Sequence, residues 1–342
     1  MLNYNPSLNK FLKASLFICF ILLTHQIKAQ EAAPFESIKN FIKPAKKDGG
    51  LKLSQYFLWC PSVIKVGDTY HMFASAWPAE GGMASWTSKS FCIRATSKNL
   101  LGPYEFAEVV LEKREGQWDN DRVHNPKIVK AGNKFLLFYI SSANETGYAE
   151  SDKITGPWTR SEKMISFSNP APLVRPDGSV YVFGRLSVKI GDKQVRTARA
   201  TEAPTYKGPY TNLAPDKVNL LPNNYELEDP TIWWADNQYN VICTDFGGVA
   251  TGRNKAGVQY YSKDGINYLL VSKEPINTNE ITYDDGSKEK FKRVERPFVY
   301  TENGVVKAYF LACMTPDDKG VIVAHPVKDY VPGKSSSSKR SK

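Results

Sequence analysis

The stretch HNPKIVKAGNKFLLFYI, residues 124–140, joins two apolar strands across an Ala-Gly-Asn turn that falls six residues beyond a proline. Four other segments carry the same pattern. They are WCPSVIKVGDTYHMFAS from Trp59, PAPLVRPDGSVYVFGR from Pro170, EDPTIWWADNQYNVICTD from Glu228 and ERPFVYTENGVVKAYFLA from Glu295. Pro61 to Gly67, Pro126 to Gly132, Pro172 to Gly178 and Pro230 to Asp236 are each six apart, and Pro297 to Gly304 is seven. Each segment reads as a strand, a tight turn and a second strand. A second motif follows with the same period: IRATSKNLLGPYEF from Ile93, GYAESDKITGPWTR from Gly147, RATEAPTYKGPYTN from Arg199 and a diverged YYSKDGINYLL from Tyr260. It reads as a third strand, a loop and an outer strand pinned by an aromatic. Five units of four strands, with prolines 46 to 67 residues apart, predict an all-β, five-bladed β-propeller with four antiparallel strands per blade. A β-sandwich of this length has no reason to repeat a proline hairpin five times.

Composition sets the outer bounds. The chain has 342 residues, 42% of them hydrophobic and 23% charged, the balance of a globular protein that can bury a large core. Its longest apolar run, Leu16 to Leu23, is far short of the roughly 20 residues a membrane-spanning helix needs. Lys10 and Lys13, the apolar stretch Ala14 to Thr24, and Lys28-Ala29-Gln30 have the layout of an export signal over residues 1–29. This predicts a periplasmic or secreted protein. Residues 30–50 form an N-terminal segment with one short helix near Pro34 to Ile42, where Phe35, Ile38 and Phe41 share a face. The propeller occupies residues 51–332, and residues 333–342 form a basic, serine-rich tail.

The net charge of +10 does not describe the folded body. Without the three lysines of the leader it falls to +7, and without Lys334, Lys339, Arg340 and Lys342 it falls to +3. Nucleic acid is therefore a poor partner for this chain, whereas a glycan carrying uronate or sulfate suits local cations in a cleft. Past the leader the cysteines are Cys60, Cys92, Cys243 and Cys313, whose spacing matches no zinc pattern. No cofactor motif is present, and nothing specifies an ion in the propeller channel. A monomer is expected.

With these motifs in view, the chain resembles the five-bladed propeller glycosidases, glycoside hydrolase family 43 and its relatives, from about Trp59 to Ala324. The Gly-Pro-Tyr/Trp repeats and the acid two residues before Pro230 carry the likeness. The resemblance implies a central funnel lined by the starts of the innermost strands. It also implies three carboxylates acting as general base, orienting acid and general acid in an inverting hydrolysis, a chemistry that needs two carboxyl groups roughly 6.5–9.5 Å apart. Glu228 matches the general acid. Cys60 stands where the blade-one aspartate would be, and Lys127 where the blade-two aspartate would be, with His124 and Asn125 preceding it. Glu295, Asp229 and Asp121 are the acids available for the remaining role.

The candidate catalytic residues are thus Glu228, His124, Glu295 and Asp121. The candidate substrate contacts are Arg296, Trp59, Asn125, Asp229 and Cys60. His124 sits at a repeat position that faces the axis, and histidine moves protons near neutral pH. Arg296 offers a planar bidentate donor to a sugar carboxylate or sulfate. Trp59 is placed to stack on a sugar, while Trp77, Trp86, Trp118, Trp233 and Trp234 read as blade packing. The leading expectation is an exo-acting glycosidase of xylosidase or arabinosidase type in polysaccharide degradation. A uronic-acid lyase or oligosaccharide dehydratase fits the same fold, with His124 as base and Arg296 over the carboxylate. A non-catalytic glycan-binding propeller is the third class.

Overall fold

A computed structural model describes residues 34–142, 145–222 and 226–333. The leader read at residues 1–29 and residues 334–342 of the tail lie outside these described residues. Blade one is β1 (Tyr56–Val66), β2 (Thr69–Pro78), β3 (Phe91–Ser97) and β4 (Glu105–Leu111), hydrogen-bonded in that order. Blade two repeats it with β5 (His124–Ala131), β6 (Lys134–Ile140), β7 (Thr146–Ser151) and β8 (Thr159–Arg160). Blade three has β9 (Ser168–Val174), β10 (Val180–Ile190), β11 (Lys193–Ala203) and β12 (Thr211–Asn212). Blade four has β13 (Leu227–Ala235), β14 (Gln238–Asp245), β15 (Ala256–Ser262) and β16 (Leu269–Leu270). A small hairpin, β17 (Glu280–Thr282) and β18 (Lys288–Lys290), precedes blade five: β19 (Arg293–Glu302), β20 (Val305–Met314) and β21 (Gly320–Tyr330). The fold is a five-bladed β-propeller. Among the described residues no helix is long and apolar enough to cross a membrane.

Second strands such as KFLLFYI of β6 are buried on both faces because every blade is sandwiched between two others. Phe73, Cys92 and Leu111 of blade one pack on Ile128, Leu137 and Tyr139 of blade two. Leu136 and Phe138 meet Val180 and Val182, and Tyr181 and Phe183 meet Val241 and Tyr260. Trp233 and Ile242 meet Val299 and Leu311, and Phe310 and Ile322 return to Leu58 and Ile93. Each side chain of this size contributes about 1.5–3 kcal/mol on burial, so the ring is held by five cores rather than one. The outermost strands are short or largely exposed, and the three Gly-Pro bonds, at Pro103, Pro157 and Pro209, are cis.

One backbone device recurs in every blade. Cys60, Asn125, Asn169, Asp229 and Arg296 each precede a proline and each have φ between 53° and 58°, a left-handed conformation that non-glycine residues rarely adopt. Strand pairing skips at each, between Trp59 and Ser62, His124 and Lys127, Glu228 and Thr231, and Glu295 and Phe298, with the blade-three break opposite Phe183 and Arg185. These are β-bulges. They also correct the repeat register in blade three. Its equivalent of Pro61 is Pro170, not Pro172, because Ser168 pairs before the bulge and Ala171 after it. Hydrogen bonds of Arg175 with Ser179 close a longer turn there, which disguised the two-residue offset.

Blade five contributes three paired strands, and the N-terminal segment lies along its outer edge. Isolated bridges join Ile42 to Val327 and Leu51 to Ile322, both antiparallel, and Lys43 and Lys46 donate to the carbonyls of Pro326 and Ala324. A 3-10 turn, Ile38–Phe41, capped by the Ser37 hydroxyl, starts this segment. The polypeptide therefore closes its ring by pairing its beginning with its last strand. Gly50 sits at this seam with φ 71°, donates to the Leu101 carbonyl at 2.7 Å, and has no room for a Cβ, which would collide with the Ile322 carbonyl. Gly50→Ala should destabilise the protein by about 2–3 kcal/mol. That corresponds to a fall of roughly 5–10 °C in thermal midpoint followed by circular dichroism.

Candidate active site at the propeller axis

The bulges set the site. In a regular strand consecutive side chains point to opposite faces, but at each bulge two successive residues turn toward the axis. The first of each pair, Trp59, His124, Ser168, Glu228 and Glu295, forms the wall of an axial cavity of about 270 Å³. The second, Cys60, Asn125, Asn169, Asp229 and Arg296, forms its floor.

The floor is one hydrogen-bonded ring. The Cys60 thiol donates to Asn125 Oδ1 at 2.6 Å, and Asn125 Nδ2 donates to Asn169 Oδ1 at 2.6 Å. Asn169 Nδ2 then donates to Asp229 Oδ1 at 2.9 Å and Glu228 Oε2 at 2.6 Å. Arg296 closes the ring, donating to Asp229 Oδ1 and, at 3.1 Å, to Asn125 Oδ1. Carboxylates only accept, so the amide of Asn169 has one permitted orientation, which fixes that of Asn125 in turn. Burial pushes the Cys60 thiol pKa up, which keeps the proton this ring uses. Below the floor lies a small hollow touched by Cys60, Lys127, Asp229 and Arg296. Burial draws the Lys127 amine there down to about 8.

His124 is buried, with Nδ1 2.8 Å from Ser90 Oγ, which donates to the Val123 carbonyl at 3.0 Å, and with Nε2 3.6 Å from the Cys60 sulfur. Burial, then Arg296 and Arg122, hold the imidazole well below its ordinary pKa, and so neutral. Trp86 stacks on it with ring centroids 4.8 Å apart, and Trp77 leans on it at 5.9 Å.

The two wall carboxylates are held by cations. Glu228 Oε1 accepts from Arg185 at 2.8 Å and Arg196 at 2.9 Å. Glu295 is gripped by both ends of Arg293 at 2.6 and 2.9 Å, with Lys255 at 3.5 Å. Five arginines line the cavity against three carboxylates, an excess of positive charge in a closed space.

The structure brings Glu228, His124, Glu295, Arg296, Trp59, Asn125 and Asp229 to this cavity. It does not bring Asp121, which is exposed on the loop before β5. The buried acid there is Asp119, fully committed to Arg114, Arg160 and Tyr139. Cys60 lies in the floor and does not line the main cavity. Trp86, read from sequence as packing, is a wall residue, carried with Met83 on short helical turns between β2 and β3. Sequence reasoning also missed Asn169, Arg122, Arg185, Arg196, Phe246 and Arg293. An Asn-Pro at 169–170 matching that at 125–126 was the available signal for Asn169. Arg185 and Arg196 project from one face of the β10–β11 hairpin, where Arg185 pairs with Ala198 and Ser187 with Arg196. Among the described residues no group of three His, Cys, Asp or Glu is placed to hold a metal ion.

A five-bladed propeller with a charged axial pocket is the class these observations define. No protein-family model and no curated protein matches the chain. Solved structures do match. One, of BT0996 in a complex with RGII, is 14% identical over 85% of this chain and 93% of its own, with a TM-score of 0.65. Zg3597, a family 117 glycoside hydrolase from the marine bacterium Zobellia galactanivorans, is 14% identical over 83% and 89%, with a TM-score of 0.59. The GH43_1 enzyme from Xanthomonas citri, complexed with xylose, is 12% identical over 87% and 96%, with a TM-score of 0.57. At such identity the likeness establishes the fold, the five-bladed propeller of family 43 and family 117 glycosidases.

The buried histidines have a consequence for stability. Besides His124, His71 is lowered to about 4 by burial and by Arg94, and burial also lowers His325. Below about pH 6.5 the unfolded chain takes up protons that the native one refuses, so stability falls with pH toward about 4. Each such histidine contributes a slope of about 1.4 kcal/mol per pH unit. Urea midpoints at pH 7 and pH 5 should separate clearly in the native protein and less in His124→Gln.

Proposed function

We propose that this chain is an exported carbohydrate-active enzyme that closes on the end of an anionic glycan and hydrolyses the terminal glycosidic bond. The carrying observation is the wall of the axial cavity, where Glu228 and Glu295 occupy the same repeat position of adjacent blades amid an excess of guanidinium groups. Hydrolysis of an acetal needs a proton on the leaving oxygen and an activated water on the other side of the ring. Glu228 Oε2 has one hydrogen-bond donor, Asn169, against two on Oε1, and is the oxygen open to carry and deliver that proton. Glu295 is the second carboxylate, anchored by Arg293, and serves as base toward water. An axial cavity of about 270 Å³ has room for few sugar units, which favours exo action. Export rests on the leader pattern of Lys10, Lys13 and Ala14 to Thr24.

A second reading has its own support in His124. Its imidazole is held neutral in a cavity rich in arginine, the pairing that abstraction of a proton alpha to a uronate carboxylate requires. The base takes that proton, the electron pair forms the ring double bond, and the oxygen substituent at the beta carbon leaves.

Following a uronate-terminated and a neutral oligosaccharide by mass and ultraviolet absorbance separates these readings. Hydrolysis releases a monosaccharide with gain of water and no new chromophore. Elimination creates an unsaturated, absorbing product. On the leading reading Glu228→Gln lowers turnover by about 10²–10⁴-fold in a chain that still folds by circular dichroism. An unsaturated product together with an unaffected Glu228→Gln would transfer the chemistry to His124.

A further inference from the structure

Four of the five arginines around the cavity are neutralised by direct contact. Arg185 and Arg196 bond Glu228, Arg293 bonds Glu295, and Arg296 bonds Asp229. Arg122 differs. Its NH1 donates to the backbone carbonyl of Thr87 at 2.8 Å, its Nε is buried without an acceptor, as are those of Arg185 and Arg296, and among the described residues no carboxylate touches it. Asp121 beside it in sequence is exposed and acts on it only through space. Burial accordingly works against its charge. Its guanidinium lies 4.8 Å from the ring centroid of Trp86, which stacks in turn on His124. Trp86 is itself fixed in place: Trp77 Nε1 donates to the Gly82 carbonyl at 2.8 Å, and Arg122 holds the same segment through Thr87.

A guanidinium that is partly desolvated, backed by an indole and short of an acceptor is a site waiting for an anion. We propose that Arg122 is the specificity-determining residue of the cavity, receiving the anionic group of the sugar, a carboxylate or a sulfate ester, beside the Trp86–His124 stack. This rests on the reading of the cavity as a glycan pocket and adds which residue reads the charge. The other arginines are committed to positioning Glu228, Glu295 and Asp229, so an incoming anion would compete with a carboxylate for each of them. At Arg122 it displaces no acid.

The test is a titration of the mature chain at fixed ionic strength with D-glucuronate, D-galacturonate, D-glucose 6-sulfate, D-glucose and D-galactose. The quantity read is the ratio of acidic-sugar to neutral-sugar affinity. Arg122→Gln should reduce this ratio by about 10- to 100-fold, the range of one charge-assisted contact. Arg122→Lys, which keeps the charge but not the planar fork, should recover only part of it. The uronate and sulfate arms identify which anion the site prefers. Should Arg122→Gln fail to fold, Arg122→Met is read in its place, and acidic preference retained there overturns the assignment. Acidic preference retained in Arg122→Gln overturns the assignment to Arg122 and leaves the glycan pocket standing. Equal binding of acidic and neutral sugars overturns the reading of charge, again leaving the pocket. No binding of any sugar overturns both.

Discussion

The left-handed residue before each inner-strand proline is the constraint on which the rest of the molecule depends. Proline disfavours helical conformations in the residue preceding it, and a side chain disfavours positive φ, so each of the five copies costs on the order of 1–3 kcal/mol. The strain is tolerated because it changes what the innermost strand delivers. A regular strand would send one residue in two toward the axis. The bulge sends two in succession, so five strands supply ten axial side chains, enough for both a wall and a floor. The floor then offsets the strain it depends on, since Asn125, Asn169, Asp229 and Arg296 hold one another in a closed hydrogen-bonded ring to which Cys60 is tied through Asn125.

That ring explains how a cavity with eight charged side chains is organised. Asp229 is committed downward to Arg296 and Asn169 and takes no part in the wall. Asn169 links floor to wall through Glu228, so the amide network and the carboxylate are oriented together. Arginine rather than lysine dominates because the planar fork of Arg293 matches both oxygens of Glu295 at once. His124, kept neutral by burial, meets Ser90 through Nδ1 and the Cys60 sulfur through Nε2.

The architecture was legible in the sequence because it is periodic. Proline, turn and apolar strand recur five times, and Gly-Pro-aromatic three times, and no packing detail is needed to see them. The same periodicity located His124, Glu228, Glu295 and Arg296, since each is fixed by its distance from a proline. Reading by spacing alone also misled. Pro172 satisfied the six-residue rule, and choosing it over Pro170 hid Asn169, a residue the floor cannot do without. Arg185 and Arg196 were out of reach for a different reason: they belong to second and third strands, whose hairpin extends past the blade and bends into the cavity, a tertiary fact with no local signature. Trp86 follows the same logic, because short helical turns between β2 and β3 interrupt no motif and carry none. Asp121 was chosen by nearness in sequence to His124, but the chain turns outward there, and its neighbour Asp119 took the buried position as an anchor for Arg114 and Arg160.

The seam where Ile42 meets Val327 and Leu51 meets Ile322 bears on how the protein is made. Four blades lie between these partners, and every hairpin of those blades can form from residues near in sequence. The seam cannot. Until blade five emerges, blade one exposes the face that belongs against it, and until β21 follows the N-terminal segment has no strand to join. A nascent chain is therefore an open arc with an unpaired edge at one end and an uncovered apolar face at the other, the features that invite association between chains. Contacts of such sequence separation are entropically costly to close and slow to form. The last strand thus acts as a latch whose arrival converts a string of independently formed hairpins into a ring. The fifth floor residue, Arg296, arrives earlier on β19, so the axial site has all its residues before β21 removes the exposed edge.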